Sequence, residues 1–322
     1  MGRVRAECES DDMMHPIMQA AAEAIVAQVD LTPLSGKNVL LLGATGVIGQ
    51  HLRNSAEMAG AIVTPPHREF SSAHIFDYVI HAAGYGQPAR FLASPIETIR
   101  VNTQGLIAAV NAVRSGGSLL YLSSSEVYSG LWTMEHEERQ IGTTTPWHAR
   151  GCYIEAKRCG EAIIAAARNR SVDAKAARVS LGYGPGARPG DARVIYELID
   201  RALSTGEVFL LDEGLAVRCY GYITDVVAML WNVLLRGKEP VYNVAGDSYC
   251  RIAGLAKLIA GITGARLVGI PHDAPLLTTG LSGAPDHVKM SLRLYAAEFP
   301  LPAFVPLEEG VRRTVEYHRT RS

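Results

Sequence analysis

The segment 38–52, NVLLLGATGVIGQHL, constrains the fold more than any other stretch of the chain. A continuous apolar run, Val39 to Leu42, reads as a buried strand, and the residues after Gly49 read as a helix. Between them stands Gly43-x-x-Gly46-x-x-Gly49, with Thr45, Val47 and Ile48 in the intervening positions. The first glycines let the backbone turn sharply and approach a diphosphate. Gly49 lets the helix pack on the strand, and the helix N-terminus faces the anion. A glycine triplet alone is a weak signal, but here a strand precedes it and a helix follows it. The segment predicts a doubly wound, Rossmann-like parallel α/β sheet with a bound dinucleotide. The alternative is a tight strand–helix turn without a ligand.

The second informative stretch runs from 121 to 157. Tyr153 and Lys157 are separated by one helical turn and share a face. A phenol titrates near pH 10 in water, and a neighbouring ammonium favours its ionised form, so such a pair serves as a general base on an alcohol. Upstream, the apolar run Leu119 to Leu122 reads as a buried parallel strand. It delivers Ser124, Ser125 and Glu126 to the carboxyl end of the sheet, where open α/β folds build their sites.

Elsewhere the pattern is consistent with that architecture. Of 322 residues, 48% are hydrophobic, enough for one large or two modest domains, and the net charge of -1 gives no basic excess for nucleic acid. No apolar run is long enough for a membrane span, and MGRVRAECESDDMM has no signal-peptide core; a disordered start is expected over residues 1–13. Five scattered cysteines without a Cys-x-x-Cys pair point to reduced thiols in a cytoplasm rather than to disulfides or zinc. A lead-in helix is expected from Met14 to Val29. The strand Ala61–Thr64 ends in PPHRE, where an acidic ribose ligand is usual; Arg68 there either meets a 2′-phosphate, as in NADP, or is a solvated loop arginine. The next strand, ending at His81, runs into Ala82, Ala83 and Gly84, small enough for a cofactor to lie against backbone. Asn102 stands among apolar neighbours in the following helix, as a buried amide holding the central strands near the site. After the strand Ala176–Ser180, LGYGPG takes the chain into a smaller C-terminal α/β region. Asp225 is placed to cap the helix that follows VRCYGYI, and TTGLSGAPDH reads as mobile. The expected division is a lead-in over 1–35, a dinucleotide-binding domain over 36–180 with later elements interleaved, and a mainly substrate-binding region over 181–322.

The succession GATGVIG, HAAG, Asn102, SSSEVY, YIEAK, YGPG, RCYGYITDV and YNVAG resembles the extended short-chain dehydrogenase/reductases, over roughly residues 36 to 318. Within them it is similar to the nucleotide-sugar epimerases, dehydratases and decarboxylases, most of all to the UDP-glucuronate decarboxylases. SPIETIRVNTQG, SSSEVY, ARGCYIEAKRCGE and GDARVIYELIDRAL carry that narrower likeness. The chain departs from the pattern at Leu181, where Asn is usual, at Gly186, where Arg is usual, and at Arg90, where decarboxylases often have Tyr.

The resemblance implies an NAD-dependent enzyme, with NADP left open, acting on a nucleotide-sugar as a homodimer through its long helices. Gly43, Thr45, Gly46, Val47, Ile48, Gly49, Arg68, Ala82, Ala83, Gly84, Asn102, Tyr153 and Lys157 are the implied cofactor residues. Tyr153 takes the sugar 4-hydroxyl proton, Lys157 supports it, Ser124 aligns the oxygen, and Glu126 is the acid/base at C5. Arg90, Ser125, Arg188, Arg193 and Arg218 join Glu126 as substrate contacts, Arg188 being placed to replace the arginine absent at 186. A 4-keto sugar then loses carbon dioxide, loses water, or returns as an epimer. A non-catalytic NAD(H) or nucleotide sensor is the reading from a different class; the four residues Ser124, Glu126, Tyr153 and Lys157 argue against it.

Overall fold

A computed structural model describes residues 14–64, 75–133, 135–269 and 288–321. Arg68 and its neighbours His67 and Glu69, the expected mobile segment TTGLSGAPDH and the expected disordered start all lie outside these residues. In chain order the elements are α1 (Pro16–Gln28), β1 (Asn38–Leu42), α2 (Val47–Met58), β2 (Ile62–Thr64), β3 (Phe76–His81), α3 (Pro88–Ala93), α4 (Pro95–Asn111) and β4 (Val113–Ser124). Then come α5 (Gly151–Arg168), β5 (Asp173–Val179), β6 (Leu181–Tyr183), α6 (Val194–Thr205), β7 (Glu207–Val208), β8 (Val217–Tyr222), α7 (Ile223–Arg236), β9 (Val241–Val244) and β10 (Ser248–Arg251). The chain closes with α8 (Ile252–Thr263), β11 (Arg266–Leu267), α9 (Arg293–Glu298) and α10 (Leu307–Arg319).

Six strands form one sheet in the order β2-β1-β3-β4-β5-β9, and every pairing in it is parallel. The two-residue period of a strand explains how this sheet is covered on both faces. Val39, Leu41, Ile80, Leu120, Leu122, Ala177 and Val179 point to one face, into a core with Leu52 of α2 and the apolar length of α7. The intervening residues Leu40, Val79, Leu119, Tyr121, Ala174 and Ala176 point to the other, against Leu106 of α4 and Ile164 of α5. Sequential connections from β1 run outward to β2 and then back across to β3, so the winding reverses between β1 and β3. The carboxyl ends of β1, β3 and β4 meet on one edge at that reversal, which is where such sheets hold ligands.

The elements after residue 180 do two things. Helix α7 and strand β9 return to complete the large sheet. The rest forms two small sheets, β10-β8-β6 and β11-β7, with α6 and α8 beside them. Helix α1 packs on α2 and α7, burying Met18, Ala22 and Ile25. The expected cap at Asp225 is not formed. Tyr222 occupies the N-cap position of α7 without a side-chain hydrogen bond, and the Asp225 carboxylate instead accepts the Val305 N–H at 2.8 Å. The aspartate sits one turn too far into the helix to reach the cap, and the chain returning before α10 offers it an unpaired donor.

Candidate active site

The turn after β1 is tight for stated reasons. Gly43 has φ of +89°, and a Cβ there would lie 2.6 Å from the Ala82 carbonyl; one at Gly49 would lie 2.0 Å from the Gly43 oxygen. Both contacts are between backbones, so neither can relax by moving a side chain. Gly46 differs. A Cβ there would meet only the Gly43 oxygen, at 3.5 Å, an ordinary contact. The chain itself therefore does not require glycine at 46, and the space before the α2 N-terminus stays open. Gly46 is the N-cap of α2, so the first N–H groups of the helix face that same space. These residues fit a dinucleotide diphosphate. Thr45 belongs to the same turn, Val47 and Ile48 open α2, and Ala82, Ala83 and Gly84 follow the end of β3 on the other side.

Across the reversal, β4 carries Ser123 and Ser124 to its end. The two serines serve different neighbours. Ser123 Oγ donates to Glu161 Oε1 at 2.6 Å, and Glu161 pairs with buried Arg178 at 2.7 Å, an arrangement that fixes β4, β5 and α5 to one another. Ser124, on the opposite face, hydrogen-bonds the Tyr153 phenol and accepts the Glu126 N–H at 3.2 Å. A single 3-10 turn, Ser125–Tyr128, follows and turns Glu126 back over the strand end.

Tyr153 and Lys157 stand on the buried face of α5. Lys157 Nζ donates to the Leu122 carbonyl at 2.8 Å and lies 5.7 Å from the Tyr153 ring centre and 4.9 Å from that of Tyr121. Tyr121 in turn donates its phenol proton to Asn102 at 3.0 Å, and the Asn102 amide donates to Thr98 within α4. Gly84, Asn102 and Lys157 converge, since a Cβ at 84 would stand 3.6 Å from the Asn102 oxygen and 3.8 Å from Lys157 Nζ. Asn102 thus ties α4 to β4 beneath the site, as a buried amide with both ends satisfied.

The electrostatics of the chain alone differ from the simple expectation of an acidified tyrosine. Burial pushes the Tyr153 phenol up to about 12; the Glu126 charge adds to the rise, and the Ser124 hydrogen bond and Arg150 oppose it. Burial likewise brings the Lys157 ammonium down to about 7, against the pull of Glu161. The low-dielectric setting disfavours both charged forms, and the lysine sits over the ring rather than beside the phenol oxygen.

Three residues around this pair were not assigned a role from sequence. Arg150 donates from Nη2 to Glu126 Oε1 at 2.6 Å, with both side chains largely buried. Phe91 of α3 stacks on Tyr153, centroids 4.6 Å apart. Tyr121 supports Lys157 from below. Arg150 stands in the quoted stretch ARGCYIEAKRCGE, so its spacing from Tyr153 was available; Phe91 carried no signal in an unremarkable helix.

The expected substrate contacts are placed as follows. Ser125 lies in the 3-10 turn beside Glu126. Arg90 is exposed on α3 and Arg188 is exposed in the loop before α6. Arg193 makes two short bonds to Asp191, at 2.6 and 2.9 Å, and covers the Tyr196 ring. Arg218, on β8, donates to the Val217 carbonyl at 3.0 Å. Position 186 is filled from behind: a Cβ there would stand 3.3 Å from Met18 and 3.6 Å from His51. Gly186 has φ of +100°, which L side chains rarely adopt, and Met18 of α1 crowds the position, both of which favour glycine over arginine there.

Comparison with known proteins agrees with this fold. The chain is 26% identical over 310 residues to UDP-glucuronic acid decarboxylase 1 of Xenopus tropicalis, covering 88% of this chain and 72% of the relative. The fold matches an epimerase of Methanothermobacter thermautotrophicus with a TM-score of 0.77 at 20% identity, covering 95% of this chain and 97% of the other. It also matches an NAD-dependent NDP-hexosamine 5,6-dehydratase of tunicamycin biosynthesis, with a TM-score of 0.74 at 19% identity and coverage of 89% and 99%. The model of the NAD dependent epimerase/dehydratase family matches residues 65–245. More than half of the chain carries that match, and the protein belongs to the NAD dependent epimerase/dehydratase family.

Proposed function

We propose that the protein modifies a nucleotide-sugar through a 4-keto intermediate, and that the reaction is decarboxylation of a UDP-glucuronate-like substrate. The observation that carries the reading is the convergence of Ser124, Glu126, Tyr153 and Lys157 at the carboxyl end of β4, opposite the glycine turn. A sensor of NAD(H) has no use for all four. Likeness to a protein named UDP-glucuronic acid decarboxylase supports the choice of substrate.

The turn 43–49 and residues 82–84 would hold NAD, with Lys157 at its ribose. When bound, NAD supplies the oxidant that converts the sugar 4-hydroxyl to a ketone and gives the electrons back as the reaction closes. Tyr153 takes the proton of that hydroxyl, and Ser124 holds the same oxygen in line. The ketone makes the C5 carboxylate a β-keto acid, whose carbon dioxide leaves without further assistance. Glu126 manages the proton at C5. Arg218 and Arg188 are the cations for the diphosphate or carboxylate, Arg90 and Ser125 border the sugar, and Arg193 acts through the loop it shares with Asp191.

Two wider features belong to the same proposal. Ile96, Ile99 and Ile107 of α4 are exposed on one side of the helix, which supports a homodimer through α4 and α5. Cys152, Cys159, Cys219 and Cys250 are free thiols, which supports a cytoplasmic setting; no helix among the described residues is long and apolar enough to cross a membrane. Mass spectrometry of the products from UDP-glucuronate and NAD+ tests the reading. A product lighter by one carbon dioxide is expected. A product lighter by water, or one of unchanged mass and new retention, would replace decarboxylation by dehydration or epimerisation.

A further inference from the structure

We infer that Arg150 is a positioning residue that couples the two acid/base groups of the site, holding the Glu126 carboxylate by an ion pair and the Tyr153 ring through Phe91. The inference rests on the reading of Tyr153 and Glu126 given above. Arg150 is the N-cap residue of α5, three positions before Tyr153. Its side chain is 7% exposed, and Nη2 lies 2.6 Å from Glu126 Oε1. Its guanidinium carbon stands 5.3 Å from the centre of the Phe91 ring, and that ring lies nearly parallel to the Tyr153 ring, 13° between planes. One cation thus touches the carboxylate directly and the tyrosine by way of one aromatic layer.

The Arg150 Nε–H is buried and has no hydrogen-bond partner among the described residues. A buried guanidinium with an unmet donor costs free energy, and an apolar side chain would fill the same space at less cost. Packing alone therefore does not explain arginine. Its field does. The groups facing Tyr153 are Ser124 of β4, Glu126 of the 3-10 turn, Arg150 and Lys157 of its own helix, Phe91 of α3, and Tyr121 beneath Lys157. Among them Glu126 opposes a phenolate and Arg150 favours it. With Arg150 in place a carboxylate and a phenolate can share the site; without it the two negative charges stand against each other.

The test is a set of pH profiles for Arg150→Gln, Arg150→Lys and the double variant Arg150→Gln/Glu126→Gln. In Arg150→Gln the rise of kcat/KM moves up by about one pH unit, an approximately tenfold loss near neutrality that shrinks at higher pH. Arg150→Lys keeps the position of the profile. The double variant, though slower, returns it toward that of the parent because the opposing charge is gone as well. A loss in Arg150→Gln that is equal at every pH, or a lysine variant shifted as far as the glutamine variant, overturns the inference. A second readout needs no turnover: phenolate absorbance near pH 10, taken with NAD+ as the difference from Tyr153→Phe in each background. Less Tyr153 phenolate is expected in Arg150→Gln than in the parent, and equal signals overturn the coupling. A parent protein that converts no nucleotide-sugar would contradict the functional reading alone, and the phenolate comparison would still decide Arg150.

Discussion

At the scale of the residue, the site is built around two ionisable groups whose charged forms burial disfavours. Tyr153 is pushed up to about 12 and Lys157 down to about 7, both chiefly by burial. Buried so, a Tyr153 phenolate needs a compensating positive charge; oxidised nicotinamide, when bound, would supply one for the phenolate while disfavouring the Lys157 ammonium further. The Tyr153→Phe variant removes the proton acceptor and little else, since Phe91 can still stack on the ring. Turnover should fall by at least 10²-fold, the lower range for a lost general base, while NAD binding followed by fluorescence stays within about threefold of the parent. Retained turnover would remove Tyr153 from the mechanism.

At the scale of the element, α5 is positioned by a gap on its own surface. Gly160 faces β4, and a Cβ there would stand 2.4 Å from the Tyr121 phenol. Tyr121 is fully buried and bonded to Asn102, so it has nowhere to move. Gly160→Ala should therefore displace α5 or break the Tyr121–Asn102 bond, costing about 1–3 kcal/mol as overpacking does. Because Tyr153 and Lys157 ride on the same helix, kcat should fall with stability; thermal melting and initial rates on the one variant check both. The glycine's purpose was hidden in the sequence, where it stands in a good helix without a turn signal. By contrast, β1, the glycine turn and α2 were legible, because strand, anion site and helix each leave their own pattern. Ser124, Glu126, Tyr153 and Lys157 were legible as types at fixed spacing. What spacing does not carry is contact between distant segments: Phe91 on Tyr153, Asn102 on Tyr121, Met18 behind Gly186, and Val305 drawing Asp225 away from the expected cap.

At the scale of the whole molecule, α1 packs on α2 and α7, and β9 returns late in the chain to complete the six-stranded sheet. His51 of α2 is fully buried, with Nε2 2.9 Å from the Pro185 carbonyl. His81, at the end of β3, is buried in the same manner against the Val101 carbonyl at 3.1 Å. Burial brings each down to about 4 from an ordinary value near 6.5. In that interval the unfolded chain binds more protons than the folded one, so the stability each neutral ring contributes is present above about pH 6.5 and is lost as the pH falls toward 4. The melting temperature should drop across that window, and His51→Gln, which can still donate to Pro185, should flatten the drop. An unchanged slope would mean that another group governs the acid transition. The claim on which the whole account turns is a reaction that begins and ends with the same oxidation state of the cofactor. The most direct measurement follows deuterium placed at C4 of the nucleotide-sugar, with NAD+ present in less than stoichiometric amount. The account predicts full conversion, with deuterium retained at C4 of the product and no accumulation of reduced cofactor. Deuterium recovered in free reduced cofactor, one per product formed, would contradict it and make the protein a simple dehydrogenase.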